Sequence, residues 1–123
     1  MIAAFIEGYG RNRVLRVGNL PSPKPGPSDI LVRVHAASVN PVDFKLREGK
    51  LRLLRRYKFP LILGHDCAGE VVQIGEDVTR FKVGDRIFSR PRSGRIGTFA
   101  EFIAIDQSET ALMPPSLNYH EAA

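Results

Sequence analysis

The side chains best equipped for chemistry lie between Asn40 and Cys67: an amide at 40, a carboxylate at 43, an amine at Lys45, an imidazole at His65 and the thiol. Residues two apart on a strand project to one face, so His65 and Cys67 are spaced to offer nitrogen and sulfur together. Two donors do not close a tetrahedral metal site, which needs at least one further ligand. The competing expectation is a hydrogen-bonded histidine beside a small buried hydrophobe, the usual fate of a free cysteine. Lys45 can donate a hydrogen bond to a substrate oxygen, or a proton if burial lowers its pKa. Lysine is seldom buried, so a solvated ammonium is the default. His65 can serve as a donor in the same way. Asn40 and Asp43 also have a structural role open to them, as N-cap and capping-box acid. No Ser-His-Asp or Cys-His hydrolase arrangement is present.

The elements that must hold these residues are mostly strands. Met1 to Glu7 is apolar, and Val14 to Asn19 reads as its hairpin partner across Gly8, Gly10 and Asn12. The prolines 21, 23, 25 and 27 force a loop, because each lacks an amide donor and fixes φ. From Ile30 to Ala36 the apolar residues alternate with a period of two, the mark of a half-buried strand. Asn40-Pro41 opens a short helix that Gly49 can end. Strands are expected over Gly64 to Ile74 and Thr98 to Ile105, and between them Phe81 to Phe88 carries a tight turn, Val83-Gly84-Asp85-Arg86, entering a strand that continues through Ile87-Phe88. A turn at Gly75-Glu76-Asp77 and a flexible loop at Ser93 to Gly97 separate them. A final helix opens at Tyr119, capped by Ser116 or Asn118. No βαβ unit and no Gly-x-Gly-x-x-Gly occurs. The architecture expected is mainly β within the α+β class, a curled and partly open barrel with short helices.

A length of 123 residues suits one domain. A single cysteine cannot make an internal disulfide, which points to a reducing setting and a cytoplasmic location. No apolar run approaches a membrane span, and Met1 to Glu7 has no basic leader, so neither membrane nor signal peptide is expected. The net charge of +5 gathers at Lys50, Arg52, Arg55, Arg56 and Lys58, and at Arg90, Arg92 and Arg95. Without a zinc finger or an aromatic-interleaved RNA motif, nucleic acid is not expected as a partner. The first cluster reads as the solvated face of a short helical segment.

Four stretches in fixed order carry a family likeness: Ala37 to Asp43, Phe59 to Val72, Gly75 to Ile87, and Gly97 to Phe102. Together they resemble the GroES-like catalytic domain of the medium-chain dehydrogenase/reductase superfamily, over nearly the whole chain. The Ser38-Val39-Asn40-Pro41-Val42-Asp43 stretch is most similar to the zinc-free quinone oxidoreductase branch. That resemblance implies an NADPH-dependent oxidoreductase passing hydride to a quinone, enone or similar activated alkene or carbonyl. It implies that residues 1–123 are the substrate-side domain. The Rossmann nucleotide-binding domain would follow as its partner, outside this chain, and the isolated piece would be monomeric and inactive. Asn40 would then line the nicotinamide pocket. Asp43 would share that cofactor side, with capping as the favoured alternative, while Lys45 and His65 would meet the substrate. In zinc-dependent relatives a cysteine stands where Asn40 stands here, and a Gly-His-Glu motif where Gly64-His65-Asp66 stands. The thiolate is replaced by an amide, a poor zinc ligand, and the four-cysteine loop of those enzymes has no counterpart in Ser89 to Gly97, so no zinc is expected. A zinc alcohol dehydrogenase domain and a non-enzymatic GroES-like interaction module are the alternatives.

Overall fold

The computed structural model describes all residues, 1–123. Strand β1 (Ile2–Ile6) pairs antiparallel with β2 (Leu15–Asn19) after a 3-10 turn at Asn12–Val14. Then come β3 (Asp29–Ser38), helix α1 (Pro41–Arg47), β4 (Leu61–Ile62), β5 (Asp66–Ile74), β6 (Arg86–Ser89), β7 (Phe102–Asp106), β8 (Thr110–Leu112) and helix α2 (Tyr119–Ala122). They build a three-stranded sheet, β2-β1-β4, and a five-stranded sheet, β7-β3-β5-β6-β8. Every ladder is antiparallel, so the chain holds no βαβ unit. This is the mainly β, partly open GroES-like architecture expected from the sequence.

Alternation along β3 has the packing it implies. Ile30 and Val32 are fully buried, and with Val71, Ile87, Ile103 and Ile105 they form the larger core cluster. Ile6, Leu46, Leu61 and Leu63 form a second cluster under α1. Bulges between Leu31 and Val32, and between Val34 and Ala36, curl β3 against β5. Gly75 is required where that curl ends, because a Cβ there would lie 2.2 Å from the carbonyl oxygens of Gly26 and Pro27. Helix α2 docks through Tyr119, stacked on His35 at 4.3 Å between centroids, and through Arg86, which donates to the Leu117 carbonyl at 2.9 Å.

Three expectations change. Thr98 to Ala100 is not part of β7. Its backbone straps the two sheets together: Phe99 N–H donates to Leu63 at 2.9 Å, Ala4 N–H donates to Phe99 at 2.8 Å, and Ala3 bridges Ala100. Lys50 to Lys58 is not a helix. It makes turns closed by Arg52 N–H on Gly49 and by Arg55 N–H on Leu51, because Leu53 and Leu54 find no core to face. The Ser93–Gly97 loop is held rather than free: the Tyr57 hydroxyl donates to the Ser93 carbonyl at 2.5 Å. Arg95 forks onto Asp29 at 2.8 and 2.7 Å across a separation of 66 residues, and Arg92 pairs with Glu109.

Candidate functional site

The end of β3, the start of α1 and the start of β5 meet at one place. The register sets Ser38 opposite Asp66. Asn40 takes the N-cap position in extended backbone, and Asp43 Oδ2 accepts its N–H at 2.7 Å, the acid half of the expected capping box. The Asn40 carboxamide also leaves the helix end: its nitrogen donates to Asp66 Oδ2, and lies 3.4 Å from Ser38 Oγ. Asn40 is therefore tied through both backbone and side chain, with its orientation set by neighbours on two strands.

Behind it lies a buried ion-pair geometry. Asp43 Oδ1 is 2.6 Å from His65 Nδ1, with the two residues 3% and 4% exposed. A carboxylate can only accept, so Nδ1 carries the proton toward Asp43 and fixes the ring orientation. Both Asp43 oxygens are thereby engaged inside the protein. Asp43 thus takes the capping position that was the favoured alternative, and it holds Asn40 and His65 in place. Lys45 is not brought to the group: it sits on the exposed face of α1 and lines neither hollow beside the cluster. Asp66 and Ser38, not among the expected site residues, join it. Asp66 was visible in the Gly64-His65-Asp66 motif as the acid beside His65, but the pairing that sets it against Ser38 is not revealed by a single chain.

His65 is fixed from below by Gly64. At φ 102° it occupies the left-handed region, and a Cβ would lie 2.2 Å from Thr98 Oγ1. Cys67 points into the larger core. Burial, and secondarily the Asp66 carboxylate, push its thiol up to about 12, so it stays neutral and away from His65 chemistry. No three His, Cys, Asp or Glu side chains converge in a way that could hold an ion.

Two hollows flank the cluster. One, of about 390 Å³, is lined by Ser38, Asp66, Phe88, Arg90 and the end of α2. Its size falls within the roughly 300–1,000 Å³ of small-ligand pockets. The other, of about 150 Å³, is mostly apolar and is bordered by Val39, Asp43, Phe44 and Arg47, whose Nε is a buried donor without an acceptor. The Ser38 hydroxyl in the larger hollow, with the Asn40 amide bonded beside it, fits the planar, polar nicotinamide end of a dinucleotide. The hollow has no glycine-rich strand-turn-helix beside it to receive the pyrophosphate.

Comparison with known proteins agrees with this arrangement. The model of the alcohol dehydrogenase GroES-like domain matches residues 26–115. The chain is 35% identical over 127 residues to the mitochondrial NAD(P)H oxidoreductase RTN4IP1 of Dictyostelium discoideum, covering 100% of this chain and 36% of that protein. It is 37% identical over 124 residues to a chloroplastic quinone-oxidoreductase homolog of Spinacia oleracea, covering 100% and 38%. The quinone oxidoreductase of Coxiella burnetii superposes with a TM-score of 0.90 at 29% identity, over 100% of this chain and 40% of that one. The chain thus spans little more than a third of the length of the curated relatives it matches.

Proposed function

The chain belongs to the alcohol dehydrogenase GroES-like domain family, among the quinone oxidoreductases of the medium-chain dehydrogenase/reductase superfamily, and from that premise we propose that it forms the substrate-side wall of an NADPH-dependent reductase. Its substrate class is a quinone, an enone or a similar activated alkene or carbonyl. The observation that carries this reading is the Asn40 carboxamide, held by Ser38 and Asp66, which line the larger hollow, and backed by the buried Asp43–His65 pair.

The nicotinamide, when bound, supplies the hydride, and Asn40 would hold its ring side. The protein's part is orientation and exclusion of water. Asp66 and Ser38 fix the rotation of the Asn40 amide before any ligand arrives, so no ordering is needed during reaction. Asp43 keeps His65 in the Nδ1–H tautomer, which leaves Nε2 as a hydrogen-bond acceptor able to orient a hydroxyl or N–H group of a bound molecule. Phe88 supplies apolar wall to the larger hollow. We assign the nucleotide-binding domain to sequence outside residues 1–123, which the all-antiparallel ladders and the missing Gly-x-Gly-x-x-Gly support.

The test is NADPH oxidation with a quinone acceptor. Residues 1–123 alone are expected to give no turnover, and the same residues joined to a nucleotide-binding domain are expected to be active. In the active form, Asn40→Ala should lower kcat/KM by roughly a hundredfold, while Lys45→Ala should leave it near the parent value. Turnover by the isolated chain, or full activity of Asn40→Ala, overturns the assignment.

A further inference from the structure

We propose that the Lys50–Lys58 turn is a peripheral membrane hook that docks on a bilayer bearing anionic phospholipids. Leu53 and Leu54 are 94% and 85% exposed, more than any other large apolar side chain in the protein. Single exposed leucines are ordinary, but two adjacent ones at the tip of a turn form a wedge with no partner in the fold. Around them stand Lys50, Arg52, Arg55, Arg56 and Lys58. Lys50 pairs with Glu48 at 2.7 Å, whereas Arg52, Arg55, Arg56 and Lys58 pair with no carboxylate.

The base of the hook is braced. Tyr57 is tied to Ser93, and Tyr9 packs edge-on against Phe59 at 5.1 Å between centroids. Between base and tip lies a hollow of about 310 Å³ lined by Arg52, Arg56, Leu53 and the two tyrosines. Two guanidinium groups in one hollow match the oxygens of a phosphate. Leucines at the tip, cations around it and a guanidinium-lined hollow behind them reproduce the layering of a membrane interface: acyl boundary, phosphate plane, water. A single-stranded nucleic acid would satisfy the cations but leave the leucines wet. Its bases would find little aromatic face to stack on, since Tyr9 and Tyr57 are half-buried and the exposed Phe59 is already engaged by Tyr9. No helix of the protein is long and apolar enough to cross a membrane; a hook lying in the interface needs none.

The hollow of the hook shares no lining residue with the two hollows beside the Asn40 cluster, so its test is independent of hydride transfer. Flotation of the protein with phosphatidylcholine vesicles containing phosphatidylserine should show binding that weakens with salt, and phosphatidylcholine vesicles alone should show little. Arg52→Gln and Arg56→Gln should each weaken partitioning about fivefold. Leu53→Ser combined with Leu54→Ser, at unchanged charge, should weaken it about tenfold. The chain has no tryptophan, so Leu53→Trp is a unique reporter whose emission should shift to the blue on anionic vesicles. Thermal melts of these exposed variants should match the parent and so separate docking from folding. Three results overturn the proposal: no binding to anionic vesicles, binding untouched by the leucine changes, or a single-stranded oligonucleotide that displaces the protein from vesicles.

Discussion

Cys67 shows how much one residue's surroundings decide. By sequence it sits two positions from His65 and invites metal or redox chemistry. In the fold it is 1% exposed, and burial raises its thiol to about 12 from an ordinary 9.0. A maleimide or iodoacetamide should therefore leave the native protein unmodified at neutral pH and label it stoichiometrically in denaturant; rapid labelling of the native form would contradict the burial. The sign of the linked stability follows. The unfolded thiol ionises near 9.0 while the folded one resists to about 12, so its contribution is full below 9.0 and is lost as pH rises through that window. Denaturant melts between neutral pH and pH 10, on the parent and on Cys67→Ala, isolate this term. His65 met the opposite outcome. A hydrogen-bonded histidine was expected from its residue type and a capping acid from the spacing of Asp43 to Asn40, but the partnership between the two was not legible, since 22 residues separate them.

At the scale of elements, tight turns and long-range clamps govern the site. Gly64→Ala forces a Cβ against Thr98 Oγ1 at a backbone angle that alanine avoids. It should destabilise the protein by about 2–4 kcal/mol, read from a denaturant midpoint; a neutral effect would mean the strap behind His65 yields freely. The Asp29–Arg95 fork ties the start of β3 to the loop between β6 and β7. Its hydrogen bond with Arg95 holds the Asp29 carboxyl below its ordinary 3.8. A lowered pKa stabilises the folded form above 3.8, and that support disappears as pH falls from there through the folded value. Asp29→Asn should cost about 1–2 kcal/mol at neutral pH, the exposed half of the guanidinium limiting the effect. It should cost little in strong acid, which paired melts at the two pH values check. Period and punctuation made β1, β2, β3, α1 and α2 legible. The fork, the Ser38–Asp66 register and the turn at Lys50–Lys58 were not. The first two join residues far apart in sequence, and the third carries a helical spacing with no apolar surface to settle on.

For the whole molecule, the order of the strands matters less than how two open sheets are kept together. The β1–β2 hairpin is the local pairing that a reader of the sequence can follow, while β1–β4 and β3–β7 join distant residues and only the family likeness supplies the barrel. Neither indicates that Thr98 to Ala100 abandons β7 to lie between the sheets, donating to Leu63 and accepting from Ala4. The Asn40 cluster is joined to the three-stranded sheet by that strap, by α1 and by the short connection of residues 63–65 from β4 into β5. The sheets consequently have no independent melting units. Scanning calorimetry should give one endotherm whose van't Hoff and calorimetric enthalpies agree, and a shoulder would show that the seam parts first. Heat or denaturant that loosens the strap would release both sheets and the floor under His65 in a single cooperative event, so loss of function and loss of structure would fall on the same curve.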